Sequence, residues 1–237
     1  RGGRPGASQS LVVLSPYVIL HHCTVGLRGH DGLIDAIAGY RPATHGQVFV
    51  NGIDVYKNFN AIRNDIGFVP QRDIIHMELT VHQALDYAAR LRMPKDTNKA
   101  ERHKRIMEVL DDLDLAHRKD VQISGLSGGQ QKRVSIGVEL LTKPGLFFLD
   151  EPTSGLDPGT ETALMQLMRR LADQGRTIIL VTHATKNVML ADKVIFLARG
   201  GYLAWFGPPI PTWTSAISKL EGASSRTGTR LPTAKCR

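Results

Sequence analysis

Two short runs in the second half of the chain are apolar at nearly every position: GLFFLD at Gly145–Asp150 and TIILVTH at Thr177–His183. Neither alternates apolar with polar, so each must be covered on both faces. That is the condition of an inner strand in a parallel sheet. Between them Leu164, Leu167, Met168 and Leu171 recur at helical spacing. Asp157 stands where it can cap that helix, with Pro158 in the first turn and Gly175 past the end. Two parallel strands joined through a helix make a crossover, so the expected class is α/β with a mainly parallel sheet.

The rest of the middle zone agrees. GQVFVNG (Gly46–Gly52) reads as a short strand ended by an Asn-Gly turn, and IGFVPQ (Ile66–Gln71) as a buried strand stopped by Pro70. From about Thr80 the pattern turns helical. Thr80 is a candidate N-cap, and Ile106, Val109, Leu110 and Leu113 share one face of a second helix. KVIFLA, a Gly-Gly turn and YLAWF predict a closing antiparallel hairpin. The helical stretch near 75–127 interrupts the alternation and is expected to form a subdomain of its own. Residues 1–32 are rich in Gly, Ser and Arg without a clear period; their run LVVLSPYVIL reads as a buried strand or unrelated sequence rather than a signal segment. Residues 209–237 read as a disordered basic tail.

The net charge of +8 is unevenly spread. Residues 1–30 hold three Arg and no acid, and residues 209–237 hold five basic residues against Glu221, whereas the middle has 22 basic and 21 acidic residues. A nearly neutral body does not point to a basic face, and no nucleic-acid partner is expected. Cys23 and Cys236 lie near opposite ends and offer no disulfide or metal framework. No run approaches the ~20 apolar residues of a membrane-spanning helix.

Four features carry candidate chemistry. In LSGGQ (Leu126–Gln130) a Ser and two Gly stand at a helix start, where backbone N–H groups and the dipole favour phosphate. Taken alone, such a triplet is usually a turn. Asp150 and Glu151 follow the apolar run directly, at the carboxyl end of a strand, where open α/β sheets bind ligands. One carboxylate there can hold Mg²⁺ and the next can polarise a water; a helix-start acidic pair is the plainer reading. His183 ends another strand and Gln71 a third, and either alone is an ordinary surface residue.

Together, the order Gln71, LSGGQ, LFFLDEP, SGLD and VTH resembles the nucleotide-binding domain of ABC transporters, from about Leu33 to Pro208. LTVHQALDYAARLRMP, KRVSIGVELL and RGGYLAWFGPP are most similar to the G (White-type) subfamily. The resemblance implies a P-loop NTPase (RecA-like) core with a helical subdomain and a C-terminal β hairpin. It implies ATP and Mg²⁺ as cofactors, and roles residue by residue. Asp150 corresponds to the Walker B aspartate acting on Mg²⁺, Glu151 to the general base, and Gln71 to the Q-loop residue that touches metal and water. Ser127, Gly128, Gly129 and Gln130 correspond to the signature that binds ATP held by the opposite subunit. Asp157 corresponds to the D-loop aspartate at the dimer interface and His183 to the H-loop switch. A second nucleotide-binding domain and a transmembrane domain are the implied partners, at the cytoplasmic face of a membrane. In G-type half-transporters the membrane segment follows on the same chain. An SMC-type ATPase also carries an LSGG-like signature, but no heptad run separates Gly29 from Ser127 here.

The pattern fails at one place. The phosphate-binding loop G-x-x-x-x-G-K-[ST] falls on Thr24–Asp31, and only Gly29 survives. His30 replaces the Lys and Asp31 the Ser/Thr. His is shorter and mostly neutral at pH 7, and a carboxylate beside phosphate repels it. Poor ATP binding and little hydrolysis are the expectation. Two origins compete: a degenerate domain, or a broken reading frame before about Leu33. Val25–Gly32 can be encoded so that a frame moved by one base reads S-G-C-G-A-T-T, close to the family's S-G-C-G-K-T-T. A second break after Pro208 would account for the tail. Sequencing the coding DNA over codons 20–35 and 205–237 decides between them.

Overall fold

The structure is a computed structural model and describes residues 18–22, 30–42, 47–182, 187–198 and 202–209. Its centre is a six-stranded sheet in the order β4-β5-β6-β1-β7-β8. The strands are β1 (Val18–His22), β4 (Ile66–Val69), β5 (Leu146–Asp150), β6 (Thr177–Thr182), β7 (Lys193–Ala198) and β8 (Tyr202–Gly207). Every pairing is parallel except the last, where β7 and β8 form the expected antiparallel hairpin. A separate two-stranded ribbon joins β2 (Phe49–Val50) to β3 (Ile53–Asp54). Its turn puts Asn51 at φ 51° and Gly52 at φ 78°, the left-handed pair that a tight hairpin requires.

The two apolar runs occupy the middle of the sheet, and their alternation divides its faces. Phe147, Leu149, Ile178 and Leu180 point to one core; Leu146, Phe148, Ile179 and Val181 point to another. The first core is shared with α3 (Val81–Arg92), α4 (Lys99–Asp112), α5 (Gly128–Leu140) and α6 (Pro158–Asp173). The second is closed by Ile34, Ile37 and Ala38, from α1 (His30–Ile37) and the residue after it. A one-turn helix, α2 (Phe59–Ile62), leads into β4.

The helical stretch follows from its caps and its stripes. Thr80, Asn98 and Ser127 each begin a helix with a reciprocal capping box, to Gln83, Glu101 and Gln130. Each box satisfies two backbone donors that a helix start leaves open. Ile106, Val109, Leu110 and Leu113 are all fully buried, as their spacing predicts. The stretch does not form a core apart, however. Leu85, Val109 and Ile136 lie in the same cluster as Phe147 and Leu164, so the helices and one sheet face are a single packed body. The sheet also draws on residues before 33: Val18–His22 pairs with both β6 and β7. The tail after residue 209 lies outside the described residues.

Candidate functional site

β5 delivers Asp150 and Glu151 to the carboxyl edge of the sheet. The strand ends at Asp150, whose Oδ1 is shielded from solvent. Glu151 then turns sharply. Its φ of 42° lies in the left-handed region, uncommon for a residue with a side chain and enriched at functional sites. The turn is fixed from both sides of the residue. Its N–H donates to Val181 O on β6 at 2.9 Å, and its carbonyl accepts from Ser154 N at 3.0 Å. The carboxylate is thereby presented to Gln71, whose Nε2 donates to Glu151 Oε2 at 2.9 Å. Residues 80 apart in sequence thus meet because β4 and β5 are parallel neighbours ending at the same edge.

A second grouping forms where α5 and α6 begin. Ser127 caps α5: its Oγ accepts from Gln130 N at 3.4 Å, and Gln130 Oε1 accepts from Ser127 N at 3.1 Å. Both backbone donors are therefore satisfied internally, while the hydroxyl proton of Ser127 is still to be donated. Gly129 is required by packing as well as by any ligand. A Cβ there would stand 2.2 Å from Thr160 Cγ2 of α6, a distance no side chain tolerates. At Gly128 the nearest atom would be Leu156 Cδ2 at 3.6 Å, an ordinary contact. Asp157 caps α6 by accepting from Gly159 N and Thr160 N, both at 3.0 Å. Hydrogen bonds from Thr160, then Gly159, hold its carboxyl below the usual aspartate range. Thr153 and Thr182, both buried, touch through their hydroxyl oxygens at 3.4 Å and join the loop after Glu151 to the end of β6.

Of the residues singled out from sequence, Gln71, Asp150 and Glu151 come together, as do Ser127 to Gln130 with Asp157. Gly29 and His183 lie outside the described residues. His30 and Asp31 open α1, an eight-residue helix following the segment where a phosphate loop would stand. Sequence reasoning passed over three contributors: Lys132 on α5, Thr160 opposite Gly129, and the Thr153–Thr182 contact. Lys132 stands in the QKR that follows LSGGQ, and a lone Lys in a helix gives no sign of being buried.

The donors can be set against the expected cofactors. Among the described residues no three His, Cys, Asp or Glu side chains gather as a metal cluster. A divalent ion here would rest on one carboxylate, Asp150, and on neutral oxygens such as Gln71 Oε1. That set suits Mg²⁺, which keeps waters and shares its sphere with phosphate. The triphosphate fits less well: a helix start is present at α1, but the residues opening it are His30 and Asp31.

A groove of about 550 Å³ runs between α3 and the loop residues Ile74 to Leu79. Ile75, Tyr87 and Val138 line it, and Ile74 and Leu91, each 87% exposed, form its lips. No helix among the described residues is long and apolar enough to cross a membrane.

The family model described as ABC transporter matches residues 24–154. An ABC transporter ATP-binding/permease protein of Mycobacterium tuberculosis is 45% identical over 181 residues, covering 76% of this chain and 21% of its own length. ABC transporter G family member 28 of Arabidopsis thaliana is 36% identical, covering 86% of this chain and 18% of its own. The broad substrate specificity ATP-binding cassette transporter ABCG2 of Rattus norvegicus is 37% identical, with 76% and 28% covered. The chain thus spans less than a third of the length of these relatives. Among solved structures, cbiO1 of Clostridium perfringens, part of the ABC transporter complex cbiONQ, superposes with a TM-score of 0.73 at 26% identity, covering 89% of this chain and 84% of that one. With the parallel sheet and its edge, these likenesses establish a P-loop NTPase fold, and the chain belongs to the ABC transporter family, as an ATP-binding domain of G-subfamily character.

Proposed function

We propose that this chain is the ATP-binding, ATP-hydrolysing unit of an ABC exporter, working as a head-to-tail dimer at the cytoplasmic face of a membrane. The observation that carries this is the Gln71–Glu151 hydrogen bond, with Glu151 held at positive φ beside Asp150 at the sheet's carboxyl edge. In this reading Asp150 and Gln71 hold Mg²⁺, which supplies charge neutralisation to the phosphates when bound. Glu151 accepts the proton of the attacking water, and Gln71 orients that carboxylate and reports on the site. His183, next in sequence after β6, serves as the switch, and Gly29, next before α1, contributes to phosphate binding. Ser127, Gly128, Gly129 and Gln130 offer the α5 start to the ATP of the opposite subunit, and Asp157 meets that subunit beside them. The groove lipped by Ile74 and Leu91 receives a cytoplasmic segment of the transmembrane partner.

His30 and Asp31 favour a second reading. The chain then forms the dimer and lends its signature to a partner's ATP, while its own phosphate site stays silent. Glu151→Gln separates the two. If this chain's site works, the variant retains ATP and forms a stable dimer on gel filtration. If the variant neither retains ATP nor dimerises by itself, the site in this chain is dead, and the second reading then requires a dimer with a partner that brings the ATP.

A further inference from the structure

Lys132 is the one buried lysine among the described residues, 5% exposed, in the second turn of α5. A lysine ammonium has three protons to donate and is costly to bury unless all are placed. Here it finds two carbonyl acceptors and an ion-pair partner on one short segment. Nζ lies 2.8 Å from Asp73 Oδ1, donates to Gln71 O at 3.0 Å, and reaches Pro70 O at 3.4 Å. That segment follows β4 and carries Gln71. Gln71 is thus held at both ends: its side chain by Glu151, its carbonyl by Lys132. Lys132 belongs to the helix that Ser127 caps. One side chain therefore bridges the two groupings of the site.

We propose that Lys132 is a positioning residue that fastens the Gln71 segment to the signature helix, so that a displacement of α5 is delivered to the Gln71–Glu151 pair. The functional side rests on the reading above, in which α5 grips the partner's nucleotide and Gln71 serves the chain's own site. In a head-to-tail dimer each such tether would link the two ATP sites through a single subunit. The physical basis is the rigidity of a buried charge held by two hydrogen bonds and an ion pair. These three contacts converge from one helix onto one segment, leaving that segment little freedom to move separately.

The test is nuclear magnetic resonance on the full chain with Lys132→Met, Lys132→Arg and Asp73→Asn, first without nucleotide. In Lys132→Met the backbone order parameters of Gln71, Arg72 and Asp73 should fall from the ~0.85 of rigid backbone to below about 0.6. The Gln71 side-chain amide signals should move toward those of a free glutamine. The amides of α5 and β5 should keep their positions. Lys132→Arg should restore most of the order, and Asp73→Asn, which leaves the core untouched, should give a weaker form of the loss. Unchanged order at residues 71–73 in both Lys132→Met and Asp73→Asn overturns the proposal. So does a loss shared equally by α5 and β5, which would mark a merely structural lysine. ATP is then added, first with a chelator in place of Mg²⁺ so that no metal meets Gln71 directly, and for the wild type afterwards with Mg²⁺. In the wild type, shifts at Ser127–Gln130 should be accompanied by shifts at Gln71; in Lys132→Met the first should persist without the second. Shifts at both places in Lys132→Met overturn the coupling. No shift at either place in the wild type overturns the proposed ATP function instead, and the nucleotide-free comparison decides the tether by itself.

Discussion

On one face of the sheet, Phe147, Leu149, Ile178 and Leu180 are met by α3, α4, α5 and α6; on the other, Phe148, Ile179 and Val181 are met by one helix, α1, with Val48 and Val50 at the β2–β3 ribbon and Ile66 and Phe68 of β4 beside them. The two faces also differ in the chemistry they bring to the common edge. The many-helix side supplies Ser127 with its cap, Asp157 with its two backbone donors, and Lys132 with its two carbonyl acceptors and its Asp73 ion pair. The α1 side opens with His30 and Asp31, where a phosphate site wants a cation and a hydroxyl. The lesson is that the site's halves are built on separate packing units. A signature surface can stay intact on one face while the phosphate loop changes on the other. That separation is what makes the lending of a signature to a partner physically reasonable.

The comparison can be broken by substitution. The largest effect is expected for Phe147→Ala, about 3–5 kcal/mol of unfolding free energy. Phe148→Ala should cost less in the same urea titration, because one short helix and a two-stranded ribbon can settle into the space better than four interlocked helices. Equal losses would erase the distinction between the faces. Next, Gly129→Ala should cost about 1–3 kcal/mol by forcing α5 from α6. Gly128→Ala should leave the melting temperature nearly unchanged, and Thr160→Ser should relieve the Gly129→Ala clash by removing the methyl group. A Gly128→Ala variant as unstable as Gly129→Ala would contradict the packing assigned to the signature. His30→Lys with Asp31→Thr sharpens the contrast in function. Calorimetry should record a gain in ATP affinity of about tenfold, worth ~1.4 kcal/mol. No gain would place the defect elsewhere in the loop, with Thr24 the next to change.

The smallest effect is a pH dependence at the start of α6. The folded Asp157 carboxyl titrates below its ordinary value. Its contribution is therefore fully present above the unfolded value of about 3.9 and is lost as pH falls through the lower, folded one. The amides of Gly159 and Thr160, followed by NMR, should lose their protected shifts only in that acid range. Asp157→Asn should keep the cap and abolish the dependence. Release near neutral pH in the wild type would refute the assignment.

Much of this was legible in the residues. GLFFLD and TIILVTH announced inner strands because a strand covered on both sides cannot alternate. Ser127, Thr80 and Asp157 announced helix starts because their side chains replace missing backbone partners. Other features were hidden for physical reasons. The run ending at Leu20 leaves a buried strand and unrelated sequence both open, and only the pairings of Val18–His22 with β6 and β7 decide for the strand. The single core under α3 to α5 could not be read from stripes, which say that a face is buried but not against what. Lys132 was hidden most fully, since its burial depends on acceptors 61 and 62 residues away. The Gln71–Glu151 bond likewise needed the parallel register of β4 and β5.

The place of β1 in the sheet has a consequence for how the chain is made. Val18 pairs with Ile179 on one side and Lys193 on the other. Synthesis therefore delivers this strand before either neighbour exists. Throughout translation of the helical stretch the strand's hydrogen-bonding groups must wait, and the sheet closes only when the last strands emerge. Contacts of such long separation form slowly. A ribosome-bound chain halted before residue 177 should hold its helices but lack the centre of its sheet, which makes the final stretch of synthesis the moment at which this domain commits to its fold.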